Sequence, residues 1–367
     1  MSEQITWFHQ NSAGRRTKPN NMETAKMGIF ELAPEITSEE MKAIFFDAKA
    51  LRVPNYKLYQ LNTKGQRYYY TIGNDGLPTF YPSVTTILSA VMPSNPFLNK
   101  WKADMGWEEA NAYTQERASY GTYMHGAIEQ LLVARTYDLD LLKVDLAKYI
   151  EREQLPTSFI NYAEDLKRDI LSFAQFVKDY DVIPLCIEES LYSSKGYAGM
   201  IDLVANMRVY TFDEMAKAKE KKGDKWTEKD EEKYNARHIV MIDFKSSRKG
   251  FYESHIVQLH LYRDMWAENF PDIPIDALYN WAPKEWVKSP TYNFKDQTDA
   301  INPDLPSSLL WQYQLRQTEL KSVTLVHGMI DLGGDLGNNY QTLTLDELVQ
   351  TKNTDKEEDD DDELFKL

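Results

Sequence analysis

The sequence predicts an α/β fold, a central mixed sheet flanked by helices with a helical region attached on its N-terminal side. Three observations carry that expectation. Over residues 81–180 apolar side chains recur at helical spacing, with breaks at Pro93 and Pro96. From Val182 the period shortens to two, in "VIPLCIEESLYS", "AGMIDLVANM" and "HIVMIDFKSS". Helical spacing then returns in "YESHIVQLHLYRDMWAENF", and one more strand follows in "DALYNWAP".

Residues 1–80 read as an N-terminal extension. It holds one helix, "TSEEMKAIFFDAKAL", capped by Thr37 or Ser38, and two aromatic strands, "YKLYQLN" and "QRYYYTIGNDG". Residues 81–181 form the helical region, and residues 182–295 form the strand-rich core. Within the core, residues 210–237 are nearly all charge, so they read as a solvated helical or flexible insertion between two neighbouring strands. Residues 296–354 form a C-terminal extension. Residues 355–367, "DKEEDDDDELFKL", form an acidic tail expected to be disordered, whose apolar end could dock a replication or recombination protein.

Composition narrows the class. With 42% hydrophobic and 27% charged residues the chain is of folded, soluble type, and no stretch is apolar for the length of a membrane span, so no membrane partner is expected. The N-terminal stretch lacks the apolar core of a secretory signal, which predicts a cytoplasmic protein. One cysteine, Cys186, excludes an internal disulfide and any iron–sulfur cluster held by four cysteines of this chain. The net charge of −15 is gathered in good part in the tail, and a site for divalent cations must itself be acidic, so the total does not exclude a nucleic-acid substrate.

The chemistry lies in charges that the strands should not carry. Alternation along "HIVMIDFKSS" puts Ile239, Met241, Asp243 and Lys245 on one face, and Val240, Ile242 and Phe244 on the other. Asp202 shares a face with Met200 and Val204. Glu189 shares one with Ile187 and Leu191, and Glu188 lies opposite with Cys186 and Ser190. Strands lie about 4.8 Å apart, so these acids can converge, and without a counter-charge they would be forced to protonate. A divalent cation resolves the repulsion, and oxygen ligands favour Mg2+ or Mn2+. Lys245 would then orient the attacking water and stabilise developing charge. In "YGTYMHGAIEQLL", Gly121, His125 and Glu129 recur every four residues. His125 offers a nitrogen ligand and Gly121 room for a close approach. Gln258 and Tyr262 share a helix face within reach of the lysine or a phosphate, and Lys100, Lys102, Arg248 and Lys249 are candidate phosphate contacts. Trp101, Trp107, Tyr113, Tyr120 and Tyr123 are read as core or helix packing.

Gly121 to His125, Glu189, Gly199 to Asp202, Asp243 to Lys245, and Gln258 to Tyr262, in that order, resemble the PD-(D/E)XK nucleases of the RecB type. "PSVTTIL" and "KWKADMG" are similar to the mitochondrial genome maintenance exonuclease branch and its phage and bacterial relatives. The resemblance covers residues 81–281. It implies a restriction-endonuclease-like core and a metal-dependent exonuclease acting on DNA ends, single-stranded DNA threading beneath a helical arch. A phage origin fits the same likeness. His125, Glu189, Asp202 and Asp243 would form the metal site, with Lys245 assisting. The alternatives are an endonuclease or flap nuclease with the same site, a DNA-binding or assembly protein without catalysis, or another magnesium-dependent phosphate enzyme.

Overall fold

The computed structural model describes residues 51–63, 66–74, 76–93, 96–248, 250–319, 324–326 and 329–331. The acidic tail, Lys249 and all but the last residue of the helix expected in "TSEEMKAIFFDAKAL" lie outside these residues. The chain divides into two compact units, residues 1–315 and 316–367. In the second, the described strands β9 (Thr324–Val326) and β10 (Met329–Asp331) pair as an antiparallel hairpin.

The first unit is α/β. It opens with an antiparallel three-stranded sheet, β1 (Tyr59–Thr63), β2 (Gln66–Ile72) and β3 (Pro78–Pro82). The helices α1 (Val84–Val91), α2 (Pro96–Met105), α3 (Trp107–Ala134), α4 (Leu142–Glu153) and α5 (Ala163–Asp179) follow. Ser83 caps α1 by accepting the Thr86 N–H, which sets the point where strand becomes helix.

The main sheet has the order β4 (Ile183–Ser193), β5 (Tyr197–Arg208), β6 (Arg237–Phe244), β7 (Ala277–Pro283) and β8 (Tyr292–Asp296). All pairs are antiparallel except β6 with β7, which α8 (Glu253–Asn269) connects as a parallel crossover. Strand β8 and helix α9 (Leu305–Glu319) are elements that the sequence pattern did not reveal.

Two apolar layers sandwich the sheet. Val240, Ile242 and Phe244 pack with Met124, Ile128, Phe173 and Phe176 of α3 and α5. Met241 and Leu278 pack with Val257, Leu261 and Trp266 of α8. This is the alternation expected for β6, and each such fully buried side chain contributes about 1.5–3 kcal/mol. The charged insertion is a helical hairpin, α6 (Phe212–Lys222) and α7 (Glu228–Asn235), with no buried residue in either helix. Capping boxes at Thr211 and Thr227 start the helices, and the buried Arg208 anchors the hairpin through the Tyr234 carbonyl and Asn235 Oδ1.

Candidate metal centre

The site grows from the place where the main sheet stops being a regular ladder. Pairing of β5 with β6 ends at Leu203 opposite Ile242, so the next rung falls at Asp202 and Asp243. The same rung continues to Asn280 on β7, and on β4 it meets Glu188, which lies between the pairs Ile187–Leu203 and Glu189–Ile201. Four adjacent strands thus carry Glu188, Asp202, Asp243 and Asn280 along one line. Asp202 takes over the missing ladder bond, its Oδ2 accepting the Phe244 N–H at 2.6 Å.

His125 completes the group from α3. Its Nδ1 stands 3.0 Å from Glu188 Oε1 and 3.8 Å from Asp202 Oδ1, and a ligand atom from each of the three residues lies within 4.8 Å of the others. Glu188 and Asp202 are buried, while the His125 side chain keeps 24% of its surface open. Two carboxylate oxygens and an imidazole nitrogen in this space suit Mg2+ or Mn2+, with the imidazole favouring manganese.

The acid that the structure brings to His125 is therefore Glu188 rather than the expected Glu189. Regular alternation fails at this point: Glu188 has φ of +48°, in the left-handed region. Ile187 packs in the α3–α5 layer, yet Leu191, which strict alternation would put beside it, packs with Cys186 in the α8 layer. One residue in the left-handed region inverts the faces of everything after it. Glu189 stands instead near Tyr56, where burial foremost, and Glu189 among other groups, push the phenol upward.

Asp243 and Lys245 form the neighbouring part. The Lys245 ammonium stands 2.7 Å from the Asp243 carboxylate and 3.3 Å from Gln258 Oε1, and Gln258 Nε2 donates to the Tyr262 hydroxyl at 3.0 Å. Gln258 and Tyr262 thus contact the lysine, directly and at one remove. Asn280 Nδ2 donates to Asp243 Oδ2 at 2.8 Å, and Gln297 Nε2 donates to Asn280 Oδ1 at 3.1 Å, both amides being fully buried. The sequence reading missed this pair, although an asparagine amid the apolar run of "DALYNWAP" is the same kind of signal as Asp243. Asp243 is not in the three-residue group with His125.

Electrostatics follow from burial and crowding. Burial pulls the His125 pKa down, but Asp202 and Glu188 outweigh it and hold the imidazole up at about 9. Burial, reinforced by Glu188, raises Asp202 to about 6 against the pull of His125, Lys245 and the Phe244 N–H. Asp243 is also raised, by burial first. His255, at the start of α8, is lowered to about 4 by burial and by Lys245.

No family model matches the chain, and no curated protein is similar to it in sequence. The geometry therefore stands on its own.

The two glycines of the expected pattern have physical reasons. A Cβ on Gly199 would lie 2.4 Å from Tyr262 Cε1, so the β5 backbone and the Tyr262 ring require glycine. A Cβ on Gly121 would meet Ser246 Oγ at 3.2 Å, so the close approach there is by the segment that follows Lys245.

One of the expected phosphate contacts is differently placed. Arg248 is not a free surface cation: it donates to the buried Asp169 at 2.7 Å, and the Tyr120 hydroxyl donates to the other oxygen at 2.5 Å. Lys249 lies outside the described residues. Lys100 is exposed on α2 and Lys102 partly so, with the Lys102 ammonium 5.0 Å from the Trp107 ring. Tyr120 is buried and Tyr123 packs partly buried against the core, whereas Trp107 (66% exposed) and Tyr113 (47%) stand open, although Ala110 between them is buried.

Proposed function

We propose that the chain is a metal-dependent deoxyribonuclease of PD-(D/E)XK type, acting as an exonuclease on single-stranded DNA ends in replication, recombination or repair. The observation that supports this reading best is the polar line across β4, β5 and β6, where Glu188 and Asp202 meet His125 and Asp243 holds Lys245. An ion held by Glu188, Asp202 and His125 would act as a Lewis acid toward a phosphodiester and make a bound water a nucleophile at neutral pH.

The protein groups divide the remaining work. An ammonium has three protons to donate. Two of those on Lys245 go to Asp243 and Gln258, leaving one for an attacking water or a phosphate oxygen gaining charge. Asn280 and Gln297 hold the Asp243 carboxylate from behind, so it keeps the lysine in place without turning. Asp202 is tied to the β6 backbone, which fixes one of its oxygens and leaves the other towards His125.

The test is cleavage of end-labelled linear single-stranded DNA and of a closed single-stranded circle in Mg2+ or Mn2+, with Lys245→Ala in parallel. Shortening of the linear strand, survival of the circle and an inactive variant are expected. A cut circle moves the reading to an endonuclease, and binding of DNA without cleavage moves it to a binding protein.

A further inference from the structure

The β1–β3 sheet carries apolar side chains on both faces, where an antiparallel sheet at a surface normally turns a polar face to water. One face is accounted for. Tyr69 is buried, and Tyr81 stacks on Tyr192 of β4 with ring centres 4.9 Å apart. On the other face, register sets Tyr59 opposite Tyr70 and Tyr70 opposite Phe80, making one aromatic rung across three strands. Ring centres along it are 5.0 and 5.5 Å apart. Leu61 (42% exposed), Ile72 (54%) and Phe80 (53%) stand open on this face, and the Lys57 ammonium lies 4.9 Å from the Tyr59 ring.

Charge selects among possible occupants. Residues 51–82 hold Arg52, Lys57, Lys64 and Arg67 against the single acid Asp75, a net excess of three positive charges in a chain whose total is −15. An aromatic face with Lys57 beside it, in a segment of net positive charge, suits a partner that has flat apolar faces and a polyanionic backbone. A single nucleic-acid strand has both. The sheet is also continuous with the site: Ser83, next after β3, bridges to Ala198 of β5, four residues before Asp202.

We propose that the Tyr59–Tyr70–Phe80 face is a stacking platform for single-stranded nucleic acid, holding bases of the strand outside the metal centre. The role rests on the nuclease reading for its purpose but not for its chemistry. Bases stack on the aromatic rings, most of all on the open Phe80, and Lys57 meets the backbone phosphates. Such binding is tolerant of sequence because every base has a π-face.

The test is fluorescence anisotropy in EDTA, so that nothing is cut, with a labelled thymidylate strand of about 30 nucleotides and a duplex of the same length, whose paired bases cannot stack on the rings. Phe80→Ala should weaken binding of the single strand about tenfold and leave the duplex unchanged. Lys57→Ala should do so less strongly and flatten the salt dependence. Both positions are exposed or partly so, and the melting temperature shows that the variants fold. Unchanged affinity for the single strand in both variants overturns the proposal, as does equal loss for single strand and duplex. A wild-type dimer that Phe80→Ala dissociates also overturns it, since the face then belongs to a second copy. If the platform binds DNA but the wild type cuts none in Mn2+, the nuclease reading falls and the platform stands. If DNA is degraded and Phe80→Ala binds it normally, the reverse holds.

Discussion

Two clusters of buried carboxylate lie against the main sheet, and they are built to opposite ends. Asp169 on α5 is balanced within the protein: Arg248 donates to one oxygen, Tyr120 to the other, and Arg117 lies against the face of the Tyr120 ring. Glu188 and Asp202 are two acids facing one histidine, with the nearest lysine committed to a third acid, Asp243. Burial raises the Asp169 pKa too, so a shifted carboxylate alone does not separate a site from a strut. The separation lies in the balance of charge. The first cluster has a donor for each carboxylate oxygen, whereas the second sets Glu188 and Asp202 against a single histidine.

The largest effects that could break this comparison are on turnover. Lys245→Ala should reduce DNA cleavage by a factor of about 10²–10³ or more, and Asp202→Asn should abolish it, measured on end-labelled strands. Asp202→Asn should at the same time raise the melting temperature of the metal-free protein, because a crowded buried charge is gone. A fall on that substitution would mean that the cluster is structural after all.

Asp169→Ala is expected to act in the other direction. It should destabilise the fold by about 3 kcal/mol in denaturant titration, the low end for breaking a buried pair since Arg248 keeps partial exposure. Smaller again, Gly199→Ala should cost about 1–3 kcal/mol, because the new methyl displaces the Tyr262 ring, and it should lower activity through the shifted Gln258 and Lys245 contacts.

The mildest effect is graded by pH. His125 is held at about 9 against an ordinary 6.5, so its stabilising charge is fully present below 6.5 and is lost as pH rises to about 9. Asp202 is held at about 6 against 3.8, so its penalty is absent below 3.8 and complete above about 6. Metal-free stability should therefore fall with rising pH through both windows. Metal affinity should climb, by up to about tenfold per pH unit as an ion displaces the His125 proton, with calorimetry in buffers of different ionisation enthalpy counting one proton released.

Much of the scaffold was legible because burial writes itself into periodicity. Strands β4 to β7 and helix α8 fall where apolar period changes from two to helical spacing, and Asp243 declared itself as a charge on an apolar strand. Strand β8 was not legible, since "YNFKD" is short and half-exposed and looks like a loop. The choice of Glu188 was hidden for a different reason. It depends on a left-handed backbone at a residue that is not glycine, asparagine or aspartate, and side-chain chemistry gives no sign of it. Arg248 failed in a third way: from sequence a cation after a strand looks like surface, and only the fold brings α5 and Asp169 to it.

Glu188, Asp202 and His125 are proposed here as an unbalanced cluster that takes a divalent ion. Titration calorimetry of Mn2+ into the wild type, Glu188→Gln and Glu189→Gln tests it most directly. One site is expected in the wild type, with no measurable heat of binding in Glu188→Gln and near wild-type affinity in Glu189→Gln. Loss in Glu189→Gln with binding retained in Glu188→Gln would contradict it.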